Sequence, residues 1–156
     1  RAKNNFILID ENIKIPMEAE EYAINMSNER YWGASIKKYI KDCQLGDLGP
    51  RGKNFNMRYV ASLVADVNRI LTRGGIYLYP RDNKNPKHLG RLRLMYEINP
   101  MAFILEQCGG LCTDGIENIL NIQPQSIHER VPVVIGAKNE VELVSDYYQK
   151  HQNSVL

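Results

Sequence analysis

The chain reads as a mixed α/β layered domain, on three observations. Runs of β-forming residues bounded by glycine or proline recur, as in GGIYLYP at 74–80 and VPVVIG at 131–136. Apolar residues elsewhere repeat at helical spacing, and strand-like and helix-like stretches alternate along the chain. At 156 residues and 17.9 kDa there is about one domain, with enough chain for a real core. A composition of 44% apolar and 24% charged residues excludes disordered, collagen-like and coiled-coil classes. The longest apolar stretches, FILI at 6–9 and PVVIGA at 132–137, fall far short of the roughly 18 residues that a membrane helix needs. Three cysteines (Cys43, Cys108 and Cys112) without CxxC spacing argue against a disulfide framework or a zinc site, and so for a reducing cytoplasm. The chain opens on Arg1 without signal-peptide regions, which suggests a piece of something longer.

NFILIDENIKI at 5–15 is expected to form a hairpin around Asp10, Glu11 and Asn12, with Ile13 and Ile15 alternating against Asn12 and Lys14. Trp32, Ile36, Tyr39, Ile40 and Cys43 form the stripe of an amphipathic helix that Gly46 and the Gly49-Pro50 pair end. After a polar loop, Leu63, Val64, Val67, Ile70 and Leu71 mark a second helix, with Ser62 placed to cap it and Gly74 to stop it. GGIYLYP is a strand, with RLRLMYE at 91–97 its expected neighbour. Asn99 and Pro100 open a third helix that Gly109 and Gly110 close. LCTDG and NILNI are short strand candidates, VPVVIG a buried strand, and 138–149 a closing helix with Val141, Val144 and Tyr148 inward.

Charge is uneven. Residues 1–50 carry seven basic and eight acidic side chains, 51–93 ten and two, and 94–156 three and eight. A +8 stretch in a chain of net +2 suits an anionic partner, or is a solvated basic face. Tyr59, Tyr77, Tyr79 and Tyr96 lie in or beside it. Tyrosines interleaved with arginines can stack bases or bind the hydroxyls and phosphate of a sugar phosphate; singly they fit a core or its rim. Alternation along RLRLMYE puts Arg91, Arg93, Met95 and Glu97 on one face. Two guanidinium groups there can fork onto phosphate, with the carboxylate holding a divalent cation, or the face is an exposed ion pair. Tyr59 and Ser62, beside Arg58, open the second helix, where unpaired N–H groups favour an anion or are simply capped. Asn28 and Tyr31 in SNERYW either line a sugar or form a capping turn. No P-loop, GxGxxG, GxSxG or HExxH occurs, and His88, His128 and His151 are dispersed. Glu97 has no carboxylate cluster near it in sequence, so a complete two-metal hydrolytic site is not expected.

SNERY at 27–31, RYVASLVADVNR at 58–69, GGIYLYP, RLRLMYEINPMAFILEQCGG at 91–110 and IHERVPVVIG at 127–136 together resemble the C-terminal half of fructose-1,6-bisphosphatase. The resemblance covers nearly the whole chain and implies a three-layer α/β/α sandwich with a mixed sheet, so that 1–156 form one sugar-phosphate-binding domain without the N-terminal metal- and AMP-binding domain. It implies a cytoplasmic, Mg²⁺-dependent, homotetrameric hydrolase of gluconeogenesis that takes the 1-phosphate from fructose 1,6-bisphosphate and leaves fructose 6-phosphate. Asn28, Tyr31, Tyr59, Tyr79 and Arg91 would then hold the retained sugar-phosphate end, and Arg58 a neighbouring subunit's site. Glu97 would be a metal ligand beside Arg93, with Ser62 in support and the remaining ligands in the N-terminal half, which leaves this chain inactive alone. Neither nucleic acid nor membrane is an expected partner.

Three substitutions depart from the family pattern. Arg91 replaces a common lysine, Ala61 a usual glycine and Asn68 a frequent histidine, and the loop 81–90 is somewhat long. A sedoheptulose-1,7-bisphosphatase is the alternative within the class. A non-catalytic anion- or RNA-binding module is the alternative outside it.

Overall fold

Period two along the strands sorts the apolar side chains into two cores, one on each face of a five-stranded sheet. The computed structural model describes residues 6–84 and 90–152, the last two by backbone alone. In chain order the elements are β1 (Glu21–Ala23), α1 (Ala34–Gln44), β2 (Asn56–Met57), α2 (Leu63–Arg73), β3 (Ile76–Tyr79), β4 (Leu92–Arg93), α3 (Asn99–Gln107), β5 (Gly110–Thr113), β6 (Arg130–Val131), β7 (Val133–Ala137) and α4 (Lys138–Gln152). The sheet runs β2-β1-β3-β7-β5; β1 is parallel to both its neighbours and β7 antiparallel to both of its own. It is therefore mixed. Tyr22, Ile24, Ile76, Leu78 and Val134 pack against α1 and α4, whereas Ala23, Tyr77, Val133, Ile135 and Ala137 pack against α2 and α3. Three layers, α/β/α, result.

The centre of the sheet depends on a glycine. Gly136 pairs with Ile76 at φ +153, and a Cβ there would sit 2.2 Å from the Gly75 carbonyl oxygen, so no side chain fits between β3 and β7. Within the α1–α4 layer, Arg51 donates to both Glu140 oxygens at 2.7 and 2.9 Å while the buried Tyr39 hydroxyl donates to Glu140 Oε1 at 2.7 Å. With Glu140 only 2% exposed, removing Arg51 leaves a buried charge unpaired and costs about 3–5 kcal/mol.

Several sequence expectations are met. The first-helix stripe is wholly buried, Val141 and Val144 point inward with Tyr148 packed beside them, and the three cysteines are free thiols. Others are corrected. Asn5 of the expected hairpin lies outside the described residues, and residues 6–15 form no strand, although the turn is real: Asp10 Oδ1 accepts the Asn12 N–H at 2.9 Å. NILNI is a short 3₁₀ turn over Ile119–Asn121, because the Asn118 side chain caps the Leu120 N–H at 2.8 Å. Val64 is exposed, and Ser62 makes no side-chain cap bond.

The largest correction is RLRLMYE. It is not the neighbour of β3: only Leu92–Arg93 is extended, paired antiparallel with β6, and Leu94–Ile98 is a wide helical turn running into α3. Leu94, Ile98, Ala102 and Leu105 stand at helical spacing and are each fully buried, so burial follows the 3.6 period rather than alternation. Glu97 fixes the turn by accepting the Arg93 N–H at 2.7 Å.

Candidate functional site

At the end of β3 the chain leaves Tyr79 beside the 3₁₀ turn Met26–Tyr31 and enters the loop that holds Asp82. Asn25, Asn28, Trp32, Tyr79, Pro80 and Asp82 line one small recess there. Asn25 begins the turn, its Oδ1 accepting from the Ser27 N–H at 3.2 Å, so the SNERYW motif is a capped turn that also presents Asn28 to the recess. An isolated β-bridge between Trp32 and Asp82, and the Asn83 N–H on the Tyr31 carbonyl at 2.9 Å, bind the two segments together.

Asp82 is the centre of this group. Its Oδ1 accepts the Lys84 N–H at 3.0 Å, and its Oδ2 faces the Arg91 guanidinium at 3.6 Å. Tyr31 lies next to it, with Arg30 4.6 Å and Lys84 5.8 Å from the ring centroid. The Arg30 guanidinium, ahead of Lys84, draws the Tyr31 hydroxyl below its ordinary value. Tyr79 continues to Tyr77 at 6.5 Å, and Tyr77 to Tyr59 at 6.5 Å with the rings nearly parallel. Burial raises the Tyr59 and Tyr77 hydroxyls, which keeps both protonated and able to donate. Asn28, Tyr31, Tyr59, Tyr79 and Arg91 are thus brought into one neighbourhood.

Glu97 and Ser62 occupy another. They line an open cleft of about 270 Å³ with Leu63, Val64, Leu92, Tyr96 and Met101. Burial alone would raise the Glu97 carboxyl, but the Arg93 backbone and guanidinium bonds outweigh it and hold it below the ordinary 4.5. The two regions are not remote, since Tyr59 and Tyr79 of the first and Leu63, Leu92 and Met101 of the second pack against the same core. One Glu97 oxygen takes the Arg93 N–H and the other its guanidinium, each at 2.7 Å. Among the described residues no group of three or more His, Cys, Asp or Glu side chains could hold a metal ion. Glu97 is one carboxylate of the set that a divalent cation needs, and these residues do not by themselves make a magnesium site.

Arg58 stands apart from both, 3.7 Å from Glu21, which also pairs with Arg69 and Arg73. This belongs to a wider pattern: Arg51, Lys53, Arg58, Arg69, Arg73, Arg91 and Arg93 of the basic stretch all meet carboxylates, most of them from other parts of the chain. The stretch is therefore largely internal ion pairing rather than one basic face. Asp82, Asn25, Arg30 and Lys84 were not singled out by sequence reasoning. Asp82 had one legible signal, a carboxylate in a +8 segment that otherwise holds only Asp66.

No helix among the described residues is long and apolar enough to cross a membrane. The family model for the fructose-1-6-bisphosphatase C-terminal domain matches residues 15–149, which takes in both clefts and every element but the last three residues of α4. The chain belongs to the fructose-1,6-bisphosphatase family of sugar phosphatases, through its C-terminal domain.

Proposed function

We propose that this domain binds the phosphorylated end of fructose 6-phosphate, the part retained when the 1-phosphate of fructose 1,6-bisphosphate is hydrolysed. The observation that carries the reading is the gathering of Asn28, Tyr31, Tyr79 and Arg91 around Asp82, with Tyr59 stacked alongside. Tyrosine hydroxyls and an asparagine amide offer donors and acceptors to sugar hydroxyls, while the Arg91 fork suits phosphate oxygens.

Glu97 contributes one ligand to a Mg²⁺ site completed by carboxylates outside residues 1–156, and Arg93 and Ser62 support that region. The cation, when bound, supplies Lewis-acid stabilisation of the developing charge; this chain's own groups bind and orient the sugar. Arg58 serves a neighbouring subunit of a homotetramer, in a cytoplasmic enzyme of gluconeogenesis. With a single carboxylate in the metal region, the 156-residue chain alone turns over no bisphosphate.

Titration of the chain with fructose 6-phosphate tests the reading. Arg91→Ala should weaken binding about tenfold or more, the scale of one lost charged hydrogen bond, and Tyr79→Phe less. In an enzyme carrying the missing carboxylates both changes should raise KM. Binding that neither substitution alters overturns the placement.

A further inference from the structure

Asp82 is an odd group to find where an anion is to bind. Its side chain is only 6% exposed, and its two oxygens have separate tasks. Oδ1 holds the local turn by accepting the Lys84 N–H, whereas Oδ2 makes no close hydrogen bond among the described residues and faces the guanidinium of Arg91 at 3.6 Å. That separation is too long for a hydrogen bond, so the attraction is Coulombic and imposes little geometry. Arg91 is 37% exposed and can exchange one anionic partner for another. Arg30 and Lys84, both against the Tyr31 ring, add two further positive charges beside this single carboxylate.

We infer that Asp82 is a built-in competitor for Arg91, setting the charge that a ligand must carry to be held. This rests on the sugar-phosphate reading of the site. In the free protein the carboxylate occupies the guanidinium. A phosphate dianion outbids it, and a neutral sugar cannot. Once Arg91 turns to phosphate, Asp82 is left with less compensation in a nearly closed position, which holds down affinity for every anionic ligand. Asp82 is in this sense a specificity-determining residue.

The test is a double-mutant cycle read by calorimetric titration of the 156-residue chain with fructose 6-phosphate and with fructose. Asp82→Asn keeps an oxygen for the Lys84 N–H and removes the charge. It should tighten fructose 6-phosphate binding about three- to tenfold, the range for a partly screened pair, and leave fructose unchanged. In the Arg91→Ala background the same substitution should gain much less. No gain, or an equal gain with and without Arg91, overturns the competition. Absence of fructose 6-phosphate binding to the unsubstituted chain overturns the proposed function as well, whereas binding without coupling overturns this inference alone. If Asp82→Asn does not fold, Asp82→Ser, whose hydroxyl can still accept from Lys84, gives the same readout; unfolding of both makes Asp82 a purely structural residue and ends the proposal.

Discussion

The ring of Tyr59 lies over that of Tyr77 at 6.5 Å between centroids, with only 15° between their planes. Tyr77 is 2% exposed and belongs to the core, while Tyr59 is half-buried at the start of the loop leading into α2. The core ring therefore serves as a platform for the outer one. Tyr59 has two separable parts, a face that packs and a hydroxyl near the Asn25 amide at the recess.

Substitutions at Tyr59 should split stability from binding. Tyr59→Phe keeps the stacked face and is expected to change unfolding free energy by no more than about 1 kcal/mol, the net contribution of one hydrogen bond. It should nonetheless weaken fructose 6-phosphate binding severalfold. Tyr59→Ala loses the ring too and should destabilise by about 2–3 kcal/mol, less than a fully buried aromatic would. Urea unfolding and titration on the same samples check both; equal losses of stability in the two variants would refute the platform.

Legibility followed burial. Ile36, Tyr39, Ile40 and Cys43 are apolar on one face only, and the core takes that face, so α1 could be read directly; Trp32, read with them, is buried but lies before the helix, in the bridge to Asp82. Arg91 to Glu97 satisfied two periods at once. Alternation was the more visible, yet the Leu94, Ile98, Ala102 and Leu105 series decided the outcome because those four side chains fill the core between the sheet and α2. β1 and β2 were missed for a different reason: three and two residues long, they carry no usable period, and β1 is placed by its partners on both sides. Tyr59, Tyr79 and Arg91 could be named from motif resemblance, but Asp82 could not, because its importance lies in the long-range meeting of the turn at Tyr31 with the loop after β3.

Asp66 should make stability fall with rising pH. It is wholly buried next to the Tyr59–Tyr77 pair, with Arg69 3.3 Å from one oxygen, the Val60 backbone acting on the carboxyl as well, and Oδ2 without a close hydrogen-bond partner among the described residues. Burial lifts its carboxyl above the ordinary 3.8, and the Arg69 charge offsets only part of that. The folded state then binds this proton more tightly than the unfolded state does. Its contribution is full below 3.8 and is lost as pH rises through the raised value. Glu97, Glu18 and Asp42 are shifted the other way, so their contributions are lost only on acidification through values below the ordinary ones. Those three therefore oppose Asp66, whose own contribution falls only from 3.8 up through its raised value. Asp66→Asn should remove that fall from the urea midpoint as pH rises from 3.8; an unchanged slope assigns the dependence to another group.

Ala61→Gly should stabilise the protein. Ala61 is the one non-glycine among the described residues with a left-handed backbone, at φ +65, and it sits between Tyr59 and the start of α2. The chain must reverse there to stack Tyr59 on Tyr77 and then enter the helix, and a Cβ in that conformation costs about 1–2 kcal/mol. Glycine removes the cost but adds unfolded-state freedom worth about 0.5–1 kcal/mol, so the net gain is up to about 1.5 kcal/mol. That amounts to a rise of a few degrees in Tm for a domain of this size. Ala61→Val, β-branched at the same φ, should shift Tm in the opposite direction by a larger amount. Because residue 61 is exposed, neither change alters core packing, and differential scanning calorimetry reads the backbone term almost alone. If glycine lowers Tm while valine is neutral, the left-handed turn is not what the loop requires, and the stacking of Tyr59 must be maintained from the Asp66 side instead.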